Sequence, residues 1–174
     1  MTSLALVRPD LSLKDSYLRG LAEFQREGLP WLMDLDAAAL AQDFQPYVDK
    51  LLQAAFLRTS ILVPETILWA VSGDDYVGRI SIRHELNDNL RLMGGHIGYD
   101  TVPSFRGQGF ASQMLAQALP VARDLGLKEV LLTCDDTNVA SIKVIEKNGG
   151  LLKETKLLAT NKPAKRYYWI KLCN

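Results

Sequence analysis

The stretch VPSFRGQGFASQML, residues 102–115, brings Arg106, Gly107, Gly109 and Ala111 together where a strand-like run gives way to a helix-like one. A helix beginning there leaves its first backbone N–H groups without intrahelical partners. The helix dipole adds partial positive charge at the same end, so that end accepts anions. Glycine lets main chain approach a phosphate closely and adopt the dihedrals of a nest of N–H groups. Arg106 adds a guanidinium fork, and Ser112 a hydroxyl in the first turn. These residue types at this spacing describe a phosphate or pyrophosphate cradle. Without a ligand, the same pattern is a tight turn and a helix start. The flanking strand and helix are the context that such a cradle requires.

Two common phosphate ligands fit poorly. A P-loop needs a lysine after its second glycine, and none follows Gly109. A dinucleotide fingerprint puts Gly or Ala where Ser112 stands, and it needs further βαβ units where only one crossover follows.

Candidate proton-transfer groups are His84, Glu85, His96, Tyr99 and Asp100. His84 and Glu85 end a strand at a loop able to face a cleft, and His84 is taken first among them as a base. Each has a competing role as a solvated or hydrogen-bonded residue. Tyr167 and Tyr168 read as packing residues. Trp31, Phe44, Tyr47 and Phe56 read first as core and second as walls of a pocket. Cys134 ends a strand with no His near in sequence and reads as a small buried residue. Cys134 and Cys173 form no metal-type spacing, so reduced thiols and no metal are expected.

The elements that position these residues follow from pattern. Residues 4–8 read as a strand stopped by Pro9, and Ser12 as the cap of a helix carrying Tyr17, Leu21 and Phe24 and ending near Gly28. A helical region over 36–57, interrupted at Pro46, carries a stripe of Val48, Leu51, Leu52 and Ala55. Residues 66–71, 76–83 and 96–102 read as a meander, with a polar loop over 85–89. A helix to about Leu125 follows the glycines, and Pro120 should kink or break it. A buried strand over 129–134, a helix over 138–147 and a hairpin of 151–156 with 166–172 complete the chain. The order βαα, βββ, αβα, ββ predicts an α+β fold with a mixed sheet.

With 174 residues, 48% hydrophobic and 23% charged, the chain suits one domain over residues 1–174 with a substantial core. Twenty basic residues balance twenty acidic ones, which argues against a nucleic-acid surface. No apolar stretch is long enough to span a bilayer. The opening MTSLALVRPD lacks a basic segment and a long apolar run, so no secretory signal is expected and the protein reads as cytoplasmic.

The motif RGQGFA, with Arg106, Gly109 and Ala111, resembles the (Q/R)xxGx(G/A) signature of the GNAT N-acetyltransferase superfamily. NVASIKVIEKNGG resembles that family's second landmark, here Asn138, Ser141, Val144, Ile145, Glu146, Lys147 and Gly149. The resemblance covers residue 66 to the C-terminus, and the N-terminal helices by architecture alone. It implies the GNAT acyl-CoA N-acyltransferase fold: a central twisted, mostly antiparallel sheet with a splayed parallel pair, flanked by helices.

The resemblance also implies acetyl-CoA as donor and a primary amine as acceptor. The pyrophosphate would lie on Arg106, Gly107, Gln108, Gly109, Phe110, Ala111 and Ser112, and the pantetheine arm along Asp100, Thr101 and Val102. The Thr101 amide would be the oxyanion donor. Asn138 and Ser141 would line the far wall. Asn138 also reads as an N-cap, with Asp136 or Thr137 as competitors. Many relatives place a tyrosine acid directly before the EK pair, where this chain has Ile145. That departure keeps a non-catalytic acyl-CoA-binding module as the alternative. Some relatives form homodimers through their C-terminal strands, and the resemblance leaves that assembly open.

Overall fold

The computed structural model describes residues 3–172, with the Trp31 side chain outside the description; Cys173 also lies outside it. Strand β1 is Leu4–Val7. Helices α1 (Lys14–Arg26), α2 (Pro30–Met33), α3 (Ala37–Gln42) and α4 (Gln45–Gln53) follow. Strands β2 (Glu65–Ser72) and β3 (Asp75–Arg83) form a hairpin, then come α5 (Asp88–Leu92) and β4 (Ile97–Thr101). Helix α6 (Phe110–Asp124), β5 (Glu129–Asp135) and α7 (Val139–Lys147) precede β6 (Leu151–Lys156) and β7 (Lys165–Lys171).

The expected mixed sheet is realised as two antiparallel sheets, β1-β2-β3-β4 and β5-β7-β6. They meet at an isolated bridge, Gly95↔Leu132. There the His96 amide donates to the Leu131 carbonyl at 2.7 Å, and the Leu131 amide donates to His96 Nδ1 at 2.9 Å. A side chain on Gly95 would strike the Leu131 carbonyl, at 2.3 Å from a Cβ, so glycine permits the close approach. Beyond this clamp β4 and β5 share no ladder, and the opening between them is where the splayed pair was expected.

The first sheet is buried on both faces, and β2 shows how. Ile67 and Trp69 face α1 and α4, while Leu68 and Ala70 face α6, as strand alternation dictates. Trp69 is fully buried and stacks on Tyr17 at 4.9 Å, which fixes α1 against the sheet. Truncating such an aromatic costs about 3–5 kcal/mol.

Several local expectations are corrected. Asp10, not Ser12, caps the first helical turn, accepting from the Ser12 amide at 2.9 Å. The region over 36–57 breaks between Gln42 and Gln45; Pro46 lies in the first turn of α4, where its missing N–H costs nothing. On the stripe of α4, Val48 and Leu51 are buried, but Leu52 is exposed and Ala55 only half-buried. Helices α2 and α5 were not anticipated. Pro120 does not break α6, which continues to Asp124; Ala118 and Ala122 on either side are fully buried, and that packing holds the helix together.

Candidate functional site

At the junction of β4 and α6, Gly107 and Gly109 have φ of 75° and 82°. An L side chain is strained there, and no atom lies within 4 Å of a Cβ placed on either residue. Gly109 is the N-cap of α6, and no side chain caps the helix. Among the described residues, the amides of Gly107, Gln108, Gly109, Phe110, Ala111 and Ser112 have no protein acceptor. Phe110 is buried against Phe105, with ring centroids 6.1 Å apart, and this anchors the turn. The result is an outward-facing set of unpaired donors at a positive helix end, which suits a pyrophosphate.

These residues line a cavity of about 630 Å³ whose far wall includes Asn138, Ser141, Lys143 and Lys147. Lys143 and Lys147 are one turn apart on α7 and bring two cations to the same cavity as the unpaired amides. A second cavity of about 430 Å³ shares Tyr99, Asp100 and Ser141 with the first. Its other walls include Arg79, Ser81 and Arg83 from β3 and Thr133 from β5. The register Trp69↔Arg79 and Ile67↔Ser81 puts those β3 side chains on the face towards α1 and α4. The two cavities thus form one groove through the opening between β4 and β5, from the helix α6 face to the opposite face.

The edge of β4 facing this opening carries free donors. The Val102 amide donates to the Val77 carbonyl at 3.0 Å. Antiparallel alternation then turns the Thr101 and Tyr99 amides away from β3 and into the opening. The Tyr99 hydroxyl reaches the Ser141 carbonyl at 3.5 Å, and burial raises its pKa to about 12, so it stays protonated near neutrality.

Three of the expected site residues are placed differently. Arg106 borders the first cavity, but its guanidinium is committed: it donates through Nη1 and Nη2 to both Glu27 oxygens at 2.8 Å, and through Nε to the Thr101 carbonyl at 3.1 Å. Val102 is 1% exposed within the α1–α4 core and lines neither cavity. His84 also lines neither, because its Nε2 meets Thr66 Oγ1 at 2.9 Å; burial lowers its pKa.

The remaining candidates divide. Asn138 is the N-cap of α7, its Oδ1 accepting from the Ser141 amide at 3.0 Å, and its residue still lines the first cavity. Ser112 Oγ accepts from Asn148 Nδ2 at 3.2 Å while bordering the cradle. Gln108 donates to the Ser104 carbonyl at 3.3 Å. Glu85 pairs with Arg58 on the surface. His96 is 7% exposed with Nδ1 committed to Leu131, and burial, then Arg91 and Arg83, lower its pKa to about 4. It is a neutral structural clamp.

Cys134 is buried outside both cavities, and burial raises its thiol pKa. Ile145 is buried and forms part of the second cavity's wall. Tyr167 and Tyr168 are buried, their hydroxyls donating to the Leu92 carbonyl and to Glu146, as packing residues. Phe44 is core, Tyr47 is half-buried with its hydroxyl 2.5 Å from that of Tyr17, and Phe56 is 86% exposed. No group of three or more His, Cys, Asp or Glu that could hold a metal occurs among the described residues, and no described helix is long and apolar enough to cross a membrane.

Arg79, Arg83, Lys143 and Lys147 escape a reading of the sequence. The lysines carry a usable signal, an i,i+4 pair on the helix that Asn138 opens. The arginines do not, because alternation with Ile80 and Ile82 makes them look like a solvated strand face.

The profile of the family described as Acetyltransferase (GNAT) domain matches residues 13–150. A curated relative, N-alpha-acetyltransferase 30 of Schizosaccharomyces pombe, is 26% identical over 86 residues, 49% of this chain; the chain spans 57% of that protein's length. Among solved structures, the Microcin C7 self immunity acetyltransferase MccE, in complex with acetyl-CoA and AMP, superposes with a TM-score of 0.69 at 14% identity, covering 98% of this chain and 93% of that one. RimL, a ribosomal L7/L12 alpha-N-protein acetyltransferase in complex with coenzyme A, superposes with a TM-score of 0.71 at 19% identity, covering 99% and 96%.

Proposed function

Because the chain belongs to the GNAT acetyltransferase family, we propose that it transfers the acetyl group of acetyl-CoA to a primary amine, both substrates being bound together. The observation that carries this reading is the run of unpaired amides at Gly107 to Ser112, at one end of a groove that crosses the sheet between β4 and β5. Two solved relatives hold acetyl-CoA or coenzyme A, and the donor set here fits the same pyrophosphate.

The amides of Gly107 to Ala111 hold the pyrophosphate, with Lys143 and Lys147 adding charge. Asn138 and Ser141 form the wall opposite β4. Arg106 acts indirectly: tied to Glu27 and the Thr101 carbonyl, it holds the turn in shape. In the transfer, the amine nitrogen attacks the thioester carbonyl carbon, the carbon–sulfur bond breaks, and the proton shed by nitrogen is balanced by one gained at sulfur. The Thr101 amide is aimed to stabilise charge on the carbonyl oxygen. The Tyr99 hydroxyl, protonated and at the meeting point of the cavities, donates to the departing sulfur. Attack requires a neutral amine. The protein is taken to be cytoplasmic, where its two thiols stay reduced.

Calorimetric titration with acetyl-CoA, with ATP and NAD as controls, tests the donor site. Micromolar binding of acetyl-CoA alone is expected; absence of binding overturns the proposal. Thiol release across an amine panel then tests transfer. Ile145, at the position where many relatives carry a tyrosine, favours a second reading, a non-catalytic acyl-CoA sensor. That reading predicts tight acetyl-CoA binding with no thiol release for any amine.

A further inference from the structure

The second cavity contains a charged side chain that the transfer chemistry leaves unused. Arg79 rises from β3 with its side chain 23% exposed. Its Nε lies 3.4 Å from Asp100 Oδ2, close enough for an ion pair, yet it is a buried donor without a hydrogen-bond partner. Among the described residues, no side-chain hydrogen bond from Arg79 to a protein acceptor is present, although the ion pair with Asp100 is. A guanidinium has five donors, and withdrawing it from water without partners is costly. The structure nevertheless keeps it at the wall of an open cavity.

Arg83 stands four residues along the same face, its Nη1 donating to the Gly95 carbonyl at 3.1 Å and its Nε 3.8 Å from Glu65. Ser81, between them, adds a hydroxyl. Each guanidinium thus has a carboxylate near it, Asp100 for Arg79 and Glu65 for Arg83, but the Arg79 donors hydrogen-bond to neither. A guanidinium fork whose donors no protein acceptor takes matches a carboxylate bidentately.

We infer that the acceptor amine carries a carboxylate, seated on Arg79 with Arg83 flanking it. This rests on the acetyl-transfer reading for the role of the cavity. Two sources supply this chemistry: a free amino acid, or a peptide whose N-terminal residue is acidic.

Matched pairs separate them. Leucine is compared with 3-methylbutylamine, and Glu-Ala amide with Gln-Ala amide. Binding to the full chain saturated with CoA is read by calorimetry, and transfer by thiol release from acetyl-CoA. The carboxylate-bearing member of one pair is expected to bind about tenfold or more tightly, the worth of one charge-assisted bond. The pair that discriminates identifies the source. Arg79→Met removes the preference, Arg79→Lys retains part of it, and both leave acetyl-CoA binding unchanged.

The inference is overturned if neither pair shows a carboxylate preference in the unmodified protein, a comparison that needs no variant to fold. It is equally overturned if the preference survives in Arg79→Met. Equal transfer to both members of each pair overturns it while leaving the acetyl-transfer reading intact. Carboxylate-selective binding without thiol release does the reverse.

Discussion

Replacing Gly109 by valine separates the two roles of the turn that opens α6. Gly109 has φ 82° and ψ 4°, and a Cβ there meets nothing within 4 Å. The cost to folding is therefore backbone strain and not collision. For an L residue in the left-handed region it is about 1–2 kcal/mol, or a fall of roughly 2–8 °C in Tm for a chain of this size. Relief of that strain rotates the turn and disperses the amides of Gly107, Gln108, Gly109 and Phe110. Each amide bonded to a charged phosphate oxygen is worth about 1.5–3 kcal/mol. Losing two weakens acetyl-CoA binding by on the order of a hundredfold or more. The assay is calorimetric titration with acetyl-CoA beside thermal unfolding followed by circular dichroism. A variant that folds, melts slightly earlier and still binds acetyl-CoA within threefold of the parent would falsify the assignment of these amides to the pyrophosphate.

Three further outcomes are expected. Arg106→Met lowers acetyl-CoA affinity by less than about tenfold, because its guanidinium is engaged with Glu27 and the Thr101 carbonyl; a loss as large as that of Gly109→Val would mean that Arg106 swings to the phosphates. Tyr99→Phe lowers kcat by about tenfold or more while the KM for acetyl-CoA changes little, measured by thiol release; an unchanged kcat removes Tyr99 from the departure of sulfur. His96 takes its proton near pH 6.5 when unfolded but only near 4 when folded, so stability is full above 6.5 and falls as pH drops towards 4. The loss by pH 4 is roughly 3 kcal/mol, and denaturant titrations at pH 7 and pH 4 should show a smaller difference for His96→Gln than for the parent.

What was legible in the sequence was local. The cradle at Gly107 to Ser112 could be read because left-handed glycines and a helix start are written in adjacent residues. The Asn138 cap needs only the Ser141 amide three residues on. The three strands of the meander followed from local runs of strand-forming residues. Pattern failed where an expectation depended on a distant partner. Pro120 looked like a helix breaker because a sequence shows the missing N–H but not the packing that holds α6 together.

The tertiary structure decided which groups face the groove. Arg106, adjacent to the glycines in sequence, has its guanidinium engaged by Glu27, 79 residues away. His96 looked like a base but is consumed in joining the two sheets through Leu131, 35 residues away. Val102 continues the β4 path yet turns into the α1–α4 core. Arg79 and Arg83, polar positions on an alternating strand, line the cavity because β4 and β5 separate beside them and leave that face open. Backbone dihedrals and helix caps are settled by nearest neighbours, so the sequence by itself determined the glycine turn that opens α6. Side-chain partners are chosen among all residues that packing brings together, so the lining of the second cavity was settled only when the chain had folded.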